Sequence, residues 1–152
     1  MDETSDTQTT QQASRTYDYY VAGPFFERGQ VASMERLEAT LEARGLRLFK
    51  PRFASDIEDV GPEGCFDDDV EAIRASRAVI ANLIDDDPGT MFEIGLAYAL
   101  GKPVYAYREG LTPADRVNLM IGQAVRMVFA GPEDLGRWLD TGEHEDVEYI
   151  QF

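Results

Sequence analysis

Short, almost wholly apolar stretches alternate along the chain with stretches in which apolar residues recur every three or four positions. Such alternation predicts strands interleaved with helices. Residues 17–22 read as a strand that stops at Gly23-Pro24. Val31, Met34, Leu37 and Leu41 then share one helical face, and Gly45 stands where a C-terminal cap belongs, so a helix is expected over residues 30–44. Residues 46–49 give a second strand. Residues 50–64 hold Pro51, Gly61, Pro62 and several acids and read as a long loop. Helix resumes near Phe66 and runs to about Ser76, with Asp69, Ile73 and Arg77 on one face. The continuous apolar run 78–83 fits a strand buried on both sides. After the acidic turn Asp85-Asp86-Asp87-Pro88-Gly89, Thr90 is placed to cap a helix that runs to Leu100 and ends at Gly101. The rest reads as a strand at 103–107, a short helix near 115–120, a strand at 125–130 and a helix at 132–139.

Five strands interleaved with helices predict an α/β, flavodoxin-like (Rossmann-like) three-layer fold. Its five-stranded parallel sheet is expected in the order 2-1-3-4-5, with right-handed crossovers. The folded domain is expected over residues 17–139. Residues 1–16 are Thr, Gln, Ser and acid with little to bury, which predicts a disordered tail, and residues 140–152 read as an acidic C-terminal tail.

Charge and cysteine usage narrow the functional classes. A net charge of −15 disfavours nucleic acid and anionic membranes as partners, because phosphate contacts need clustered Lys and Arg. No apolar run approaches the roughly 18 residues of a membrane helix, and the first 16 residues do not resemble a secretory signal, so a cytoplasmic protein is expected. Only two of the 14 basic residues, Lys50 and Lys102, are lysines. That pattern matches halophilic proteins, in which abundant salt screens self-repulsion. With one cysteine, Cys65, and one histidine, His144, neither a disulfide framework nor a Cys/His zinc site is available, and no metal or cofactor is expected. A Cys65–His144 nucleophile pair is disfavoured because His144 lies in the acidic tail.

Ligands in an open parallel sheet bind beyond the carboxyl ends of the strands, which directs attention to the loops after Ala22, Phe49, Leu83 and Tyr107. The chain contains neither GxGxxG nor GxxxxGK[ST], so no dinucleotide or triphosphate cradle is supported. Carboxylates remain. Glu93 lies one turn into an apolar helix, where it is as well explained by a favourable charge near the helix N-terminus as by catalysis. Asp87, six positions earlier, is within reach of the same cavity, though an aspartate before Pro-Gly is commonly just a turn residue. Asp69 ends the run Asp67-Asp68-Asp69 and is singled out by sharing a face with Ile73. Tyr19 and Tyr20 point to opposite faces of the first strand, and a tyrosine there is more often packing than chemistry. Asn118 stands amid hydrophobes and is equally read as a helix cap or a satisfied amide. Phe25 and Phe26 either stack on a planar base or cover the sheet edge.

Three segments together resemble the nucleoside 2-deoxyribosyltransferase family. They are Tyr19-x-x-Ala22-Gly23-Pro24-Phe25-Phe26, Asp69-x-x-x-Ile73, and Asp87-Pro88-Gly89-Thr90-x-x-Glu93-Ile94-Gly95 continuing to Gly101-Lys102-Pro103. The resemblance implies that Glu93 attacks C1′ of a 2′-deoxynucleoside, releases the base and passes the sugar to a second base through a covalent glycosyl-enzyme, with net retention. It assigns Tyr19 to holding the nucleophile and Asp87 to protonating the leaving base, and Asp69 to contacting base and sugar. Asp87 and Glu93 would form a like-charge pair that raises one pKa. Gly23, Phe25, Phe26 and Gly89 fall in substrate-binding positions. Asn118 looks like the residue that relatives insert into a neighbouring subunit's site, which implies a homo-oligomer, a dimer or larger. Relatives that hydrolyse deoxynucleoside 5′-monophosphates carry serine at that position and a basic, glycine-rich first loop. Neither feature is present, so uncharged nucleosides and nucleobases are the expected small-molecule partners; Arg28 and Arg52 are the residues within reach of a phosphate that would oppose this. The alternatives are an N-glycoside hydrolase acting on deoxynucleosides or their 5′-monophosphates, and a noncatalytic nucleoside-binding module.

Overall fold

The computed structural model describes residues 17–152; residues 1–16, read above as a disordered tail, lie outside the described residues. In chain order the elements are β1 (Tyr17–Ala22), α1 (Arg28–Glu42), β2 (Leu48–Phe49), α2 (Pro51–Ala54), α3 (Ile57–Ala75), β3 (Ser76–Asn82), α4 (Pro88–Ala99), β4 (Val104–Tyr107), β5 (Arg116–Val117), α5 (Leu119–Ala124), β6 (Val128–Phe129), α6 (Pro132–Thr141) and β7 (Ile150–Gln151). Five strands form a parallel sheet in the order β2-β1-β3-β4-β6, and β5 and β7 make a second, two-stranded sheet. Counting only the strands of the main sheet, this is the expected 2-1-3-4-5 order.

Alternation along the strands divides the core in two. Tyr20, Ala22, Val79 and Ala81 pack with Ile73, Ile94 and Ala97 from α3 and α4. Val21, Ile80, Tyr107 and Phe129 pack on the other face with Met34, Leu37 and Leu41 from α1 and Leu135 from α6. All of these are less than 10% exposed. Burying helices on both faces is what makes β3 apolar on both sides.

The structure departs from the expectations in four places. Residues 50–64 are largely helical, with Pro51 in the first turn of α2. Within α3, Gly61 takes φ 69° and ψ 176°, so the helix breaks there and Pro62 opens its second part. Proline suits that position because its missing N–H lacks an intrahelical acceptor anyway. The cap of α4 is Asp87, which accepts from the Thr90 N–H, so Thr90 is the capped residue rather than the cap. The short helix α5 begins after Asn118, and β5 occupies the start of the stretch expected to be helix. Finally, the acidic tail folds back: Ile150 N–H donates to the Asp115 carbonyl (2.8 Å) and Leu119 N–H to the Phe152 carbonyl (2.9 Å). The Arg116 guanidinium also lies over the Phe152 ring at 4.4 Å.

Among the described residues no helix is long and apolar enough to cross a membrane.

Candidate active site

A cleft of about 820 Å³ opens at the carboxyl ends of β1 and β3. It gathers residues that the sequence singled out separately: Gly23, Phe25, Phe26, Asp69, Asp87, Gly89 and Glu93 all line it. They arrive from three parts of the fold. The first three follow β1, Asp69 comes from α3, and Asp87, Gly89 and Glu93 belong to the start of α4.

Gly23 suits a close approach. A Cβ there would lie 2.4 Å from Met34 Sδ and 3.1 Å from the Asn82 Cβ, so the bare backbone leaving β1 packs directly on α1 and β3, and a side chain would have to displace Met34. Asp87 is oriented by its own helix: its Oδ2 accepts from the Thr90 N–H at 2.9 Å and from the Thr90 hydroxyl at 3.0 Å. Those two bonds hold the carboxylate at the cleft and leave Oδ1 for other partners.

Glu93 sits one turn further along α4. Burial pushes its carboxyl up to about 7, the Asp69 and Asp87 charges push the same way, and the Tyr20 hydroxyl opposes them. The Tyr20 hydroxyl is fully buried and faces Glu93 without the geometry of a completed hydrogen bond. Such contacts in unliganded sites often tighten only when substrate arrives. Asp69 is also raised, to about 6, first by burial and then by Asp68. The like-charge effect expected from the Asp87–Glu93 pair therefore appears on Glu93, with burial as its larger cause.

Two expected site residues lie elsewhere. Tyr19 points to the opposite face of β1, edge-on to Tyr105 with ring centroids 6.3 Å apart, where burial pushes its hydroxyl up to about 12. Its neighbour Tyr20, stacked on Phe49 at 5.4 Å, is the tyrosine on the Glu93 side. Alternation of side chains along a strand leaves no third possibility. Asn118 is exposed, accepts from the Met120 N–H at 2.9 Å and does not line the cleft of its own chain.

Other contributors, Arg52 apart, had no sequence signal. Arg52 and Phe53 of α2 line the cleft, as do Ser55, Asp56 and Asp59 around the start of α3, all from the stretch read as loop. Arg52 pairs with Glu38 of α1, whose carboxyl is almost fully buried. Burial raises the Glu38 pKa and Arg52 opposes that rise. Cys65 lies in the cleft wall, whereas His144 packs edge-on against Phe129 on the other face of the sheet. Among the described residues no group of three or more His, Cys, Asp or Glu side chains is placed to hold a metal ion.

With this geometry in view, the comparisons with known proteins converge. The profile of the family described as nucleoside 2-deoxyribosyltransferase matches residues 19–134. The chain belongs to that family and has its fold. A 2-deoxyribosyltransferase from Bacillus psychrosaccharolyticus superimposes with a TM-score of 0.71 at 28% identity, covering 87% of this chain and 98% of that one. A CMP N-glycosidase from Clostridium botulinum has a TM-score of 0.57 at 20% identity, covering 82% and 98%. A 2-deoxyribosyltransferase from Leishmania mexicana has a TM-score of 0.51 at 23% identity, covering 86% and 88%. The last two establish likeness of fold. No curated protein sequence matches the chain.

Proposed function

We propose that this protein transfers a 2-deoxyribosyl group between nucleobases through a covalent intermediate on Glu93. The observation that carries the reading is the meeting of three carboxyl groups, Glu93, Asp87 and Asp69, in one cleft, with the most desolvated of them facing a buried tyrosine hydroxyl. A desolvated carboxylate is a stronger nucleophile than a hydrated one, and the tyrosine both aims it and favours its ionised form.

In the first half-reaction a Glu93 oxygen bonds to C1′ as the C1′–N bond to the base breaks. The electron pair of that bond goes to the base nitrogen, which takes a proton from an acidic group. Asp87 suits that donor role because Thr90 holds one of its oxygens and thereby fixes the direction of the other. In the second half-reaction the nitrogen of an incoming base attacks C1′, its proton returns to the acid, and Glu93 is released. Two inversions give net retention. Asp69, with its raised pKa, lies across the cleft where it can share a proton with base or sugar. The orienting role that the resemblance assigned to Tyr19 passes in this reading to Tyr20.

The cleft favours uncharged substrates. Asp56, Asp59, Asp69, Asp87 and Glu93 line it, against Arg52, whose guanidinium is already paired with buried Glu38. Arg28 is not among the lining residues. The exposed Phe25, Phe26 and Phe53 offer flat apolar surface for a base.

Asn118 fits a role in a neighbouring copy. It stands exposed beside Leu119 and Met120, which are 47% and 71% exposed, and the exposed rings of Phe66 and Phe92 lie together across α3 and α4. Apolar surface of this kind commonly marks an interface.

The test is chromatography of the full chain in high potassium chloride with 2′-deoxyinosine plus adenine, and with thymidine plus adenine. Appearance of 2′-deoxyadenosine supports transfer. Release of free base at one rate with or without adenine replaces transfer by hydrolysis, and no turnover of deoxynucleosides overturns the reading.

A further inference from the structure

The aromatic wall of the cleft and the turn that carries Asp87 belong to different loops, after β1 and after β3, yet one side chain touches both. Gln30, in the first turn of α1 and only 8% exposed, accepts at Oε1 from the N–H groups of Phe26 (3.0 Å) and Glu27 (3.2 Å). Its Nε2 donates to Asp85 Oδ2 at 2.9 Å. The amide orientation is forced, since two N–H donors on one side require the oxygen there and a carboxylate on the other requires the nitrogen.

The Asp85 end of this link is unusual. Asp85 and Asp86 adopt φ values of 59° and 48°, the left-handed region that side chains seldom occupy, and Asp87 follows immediately as the cap of α4. Non-glycine residues persist in that region when their surroundings hold them there. The Gln30 bond is one such restraint. Gln30 also completes the capping box of α1 with Glu27, but that role uses only Oε1. The bond from Nε2 contributes nothing to the cap of α1.

From this we infer that Gln30 is a positioning residue that sets the distance between the Phe25-Phe26 wall and the Asp87 turn, and so fixes the width of the slot that receives the base. The inference rests on the proposed nucleoside chemistry for its kinetic consequence, but the link itself can be tested without turnover. The informative substitution is Gln30→Glu, which retains the oxygen for Phe26 and Glu27, and hence the capping box, while replacing the donor to Asp85 with a second carboxylate. Asp85→Asn keeps an acceptor for Gln30, and asparagine tolerates positive φ. The double variant Gln30→Glu/Asp85→Asn restores the link with its polarity reversed, because the new amide at 85 donates to the new carboxylate at 30.

The expected result is a rise of about tenfold in nucleoside KM for Gln30→Glu, the size expected for losing a hydrogen bond to a charged group, with kcat changed less. Asp85→Asn should keep the wild-type KM, and the double variant should recover most of it. Hydrogen exchange should quicken over residues 84–87 in Gln30→Glu and slow again in the double variant. Unchanged exchange in Gln30→Glu overturns the link itself. Faster exchange with an unchanged KM, or a KM that the double variant fails to restore, overturns the positioning role. If the wild-type protein turns over no deoxynucleoside, the functional reading fails on its own, and the exchange experiment still decides whether the link holds.

Discussion

The buried Tyr20 hydroxyl and the Glu93 carboxyl face each other from β1 and α4 across the inner end of the cleft, and each alters the proton affinity of the other. Glu93 raises the Tyr20 pKa further above its ordinary value, while Tyr20 draws the Glu93 pKa down against the larger effect of burial. The tyrosine therefore stays protonated, and in the proposed mechanism its hydroxyl is the donor available to Glu93.

Replacing Tyr20 by Phe removes that donor without opening a large cavity. The expected outcome is a fall in kcat of one to two orders of magnitude, the order expected for a hydrogen bond to a charged group, together with a shift of the ascending limb of the pH–rate profile to higher pH. Tyr19→Phe, on the opposite face, should leave both unchanged. Equal effects from the two variants would return the orienting role to Tyr19 or remove it from both.

In the proposed mechanism Glu93 must be ionised to attack. For the free enzyme, kcat/KM is therefore expected to rise through pH values near 7, the value to which burial raises Glu93. The apparent value belongs to Glu93 coupled to its neighbouring carboxyls. A profile flat between pH 5 and 8 would exclude Glu93 as the titrating nucleophile.

The same burial predicts a trade of stability for reactivity. Glu93 ionises near 4.5 when unfolded and near 7 when folded, so below about 4.5 it adds nothing. Between these values stability is lost as pH rises, and above about 7 the native state carries the whole cost, on the order of 3 kcal/mol. Glu93→Gln should abolish transfer, raise Tm at pH 8 by several degrees and leave Tm unchanged at pH 4. A variant less stable than wild type at pH 8 would contradict this.

If Asn118 completes a neighbour's site, variants altered at Glu93 and at Asn118 should complement each other. Each of Glu93→Ala and Asn118→Ala is expected to be nearly inactive alone, and co-expressed subunits should regain a measurable fraction of wild-type rate in mixed assemblies. Absence of recovery in a demonstrated mixed oligomer would place Asn118 outside the neighbouring site.

A net charge of −15 on 152 residues predicts that the folded state is favoured by salt. Melting temperature should rise between low and multimolar potassium chloride, and activity with it. A Tm independent of salt over that range would remove the case for a salt-adapted chain.

How much of this was legible in the sequence depends on whether a feature rests on local pattern or on packing. The five strands of the main sheet follow from alternation of apolar runs and helical spacing, which are local, and their order from the general rules for doubly wound parallel sheets. Asp69, Asp87 and Glu93 were identifiable because polar residues stood where apolar ones belonged, or where a turn meets a helix. The choice between Tyr19 and Tyr20 was not legible, because alternation says that they part but not which face receives α4. The helices within 50–64 were hidden by Gly61 and Pro62, which mark a break between two helical pieces and equally well a loop. The return of residues 150–152 to β5 depends on a pairing between segments far apart in the chain, for which two short strands leave no periodic trace. Gln30 was invisible for a similar reason. Its partners are backbone groups and an aspartate 55 positions away.

The break at Gly61 gives this enzyme family member a modular build. Asp69 lies in the portion of α3 that continues into β3, whereas Phe53, Ile57 and Asp59 precede the break. Exchange of residues on the near side of Gly61 can therefore recast the contour of the cleft while Asp69, Asp87 and Glu93 keep their places, so substrate range and the proposed bond-making chemistry are free to be tailored separately.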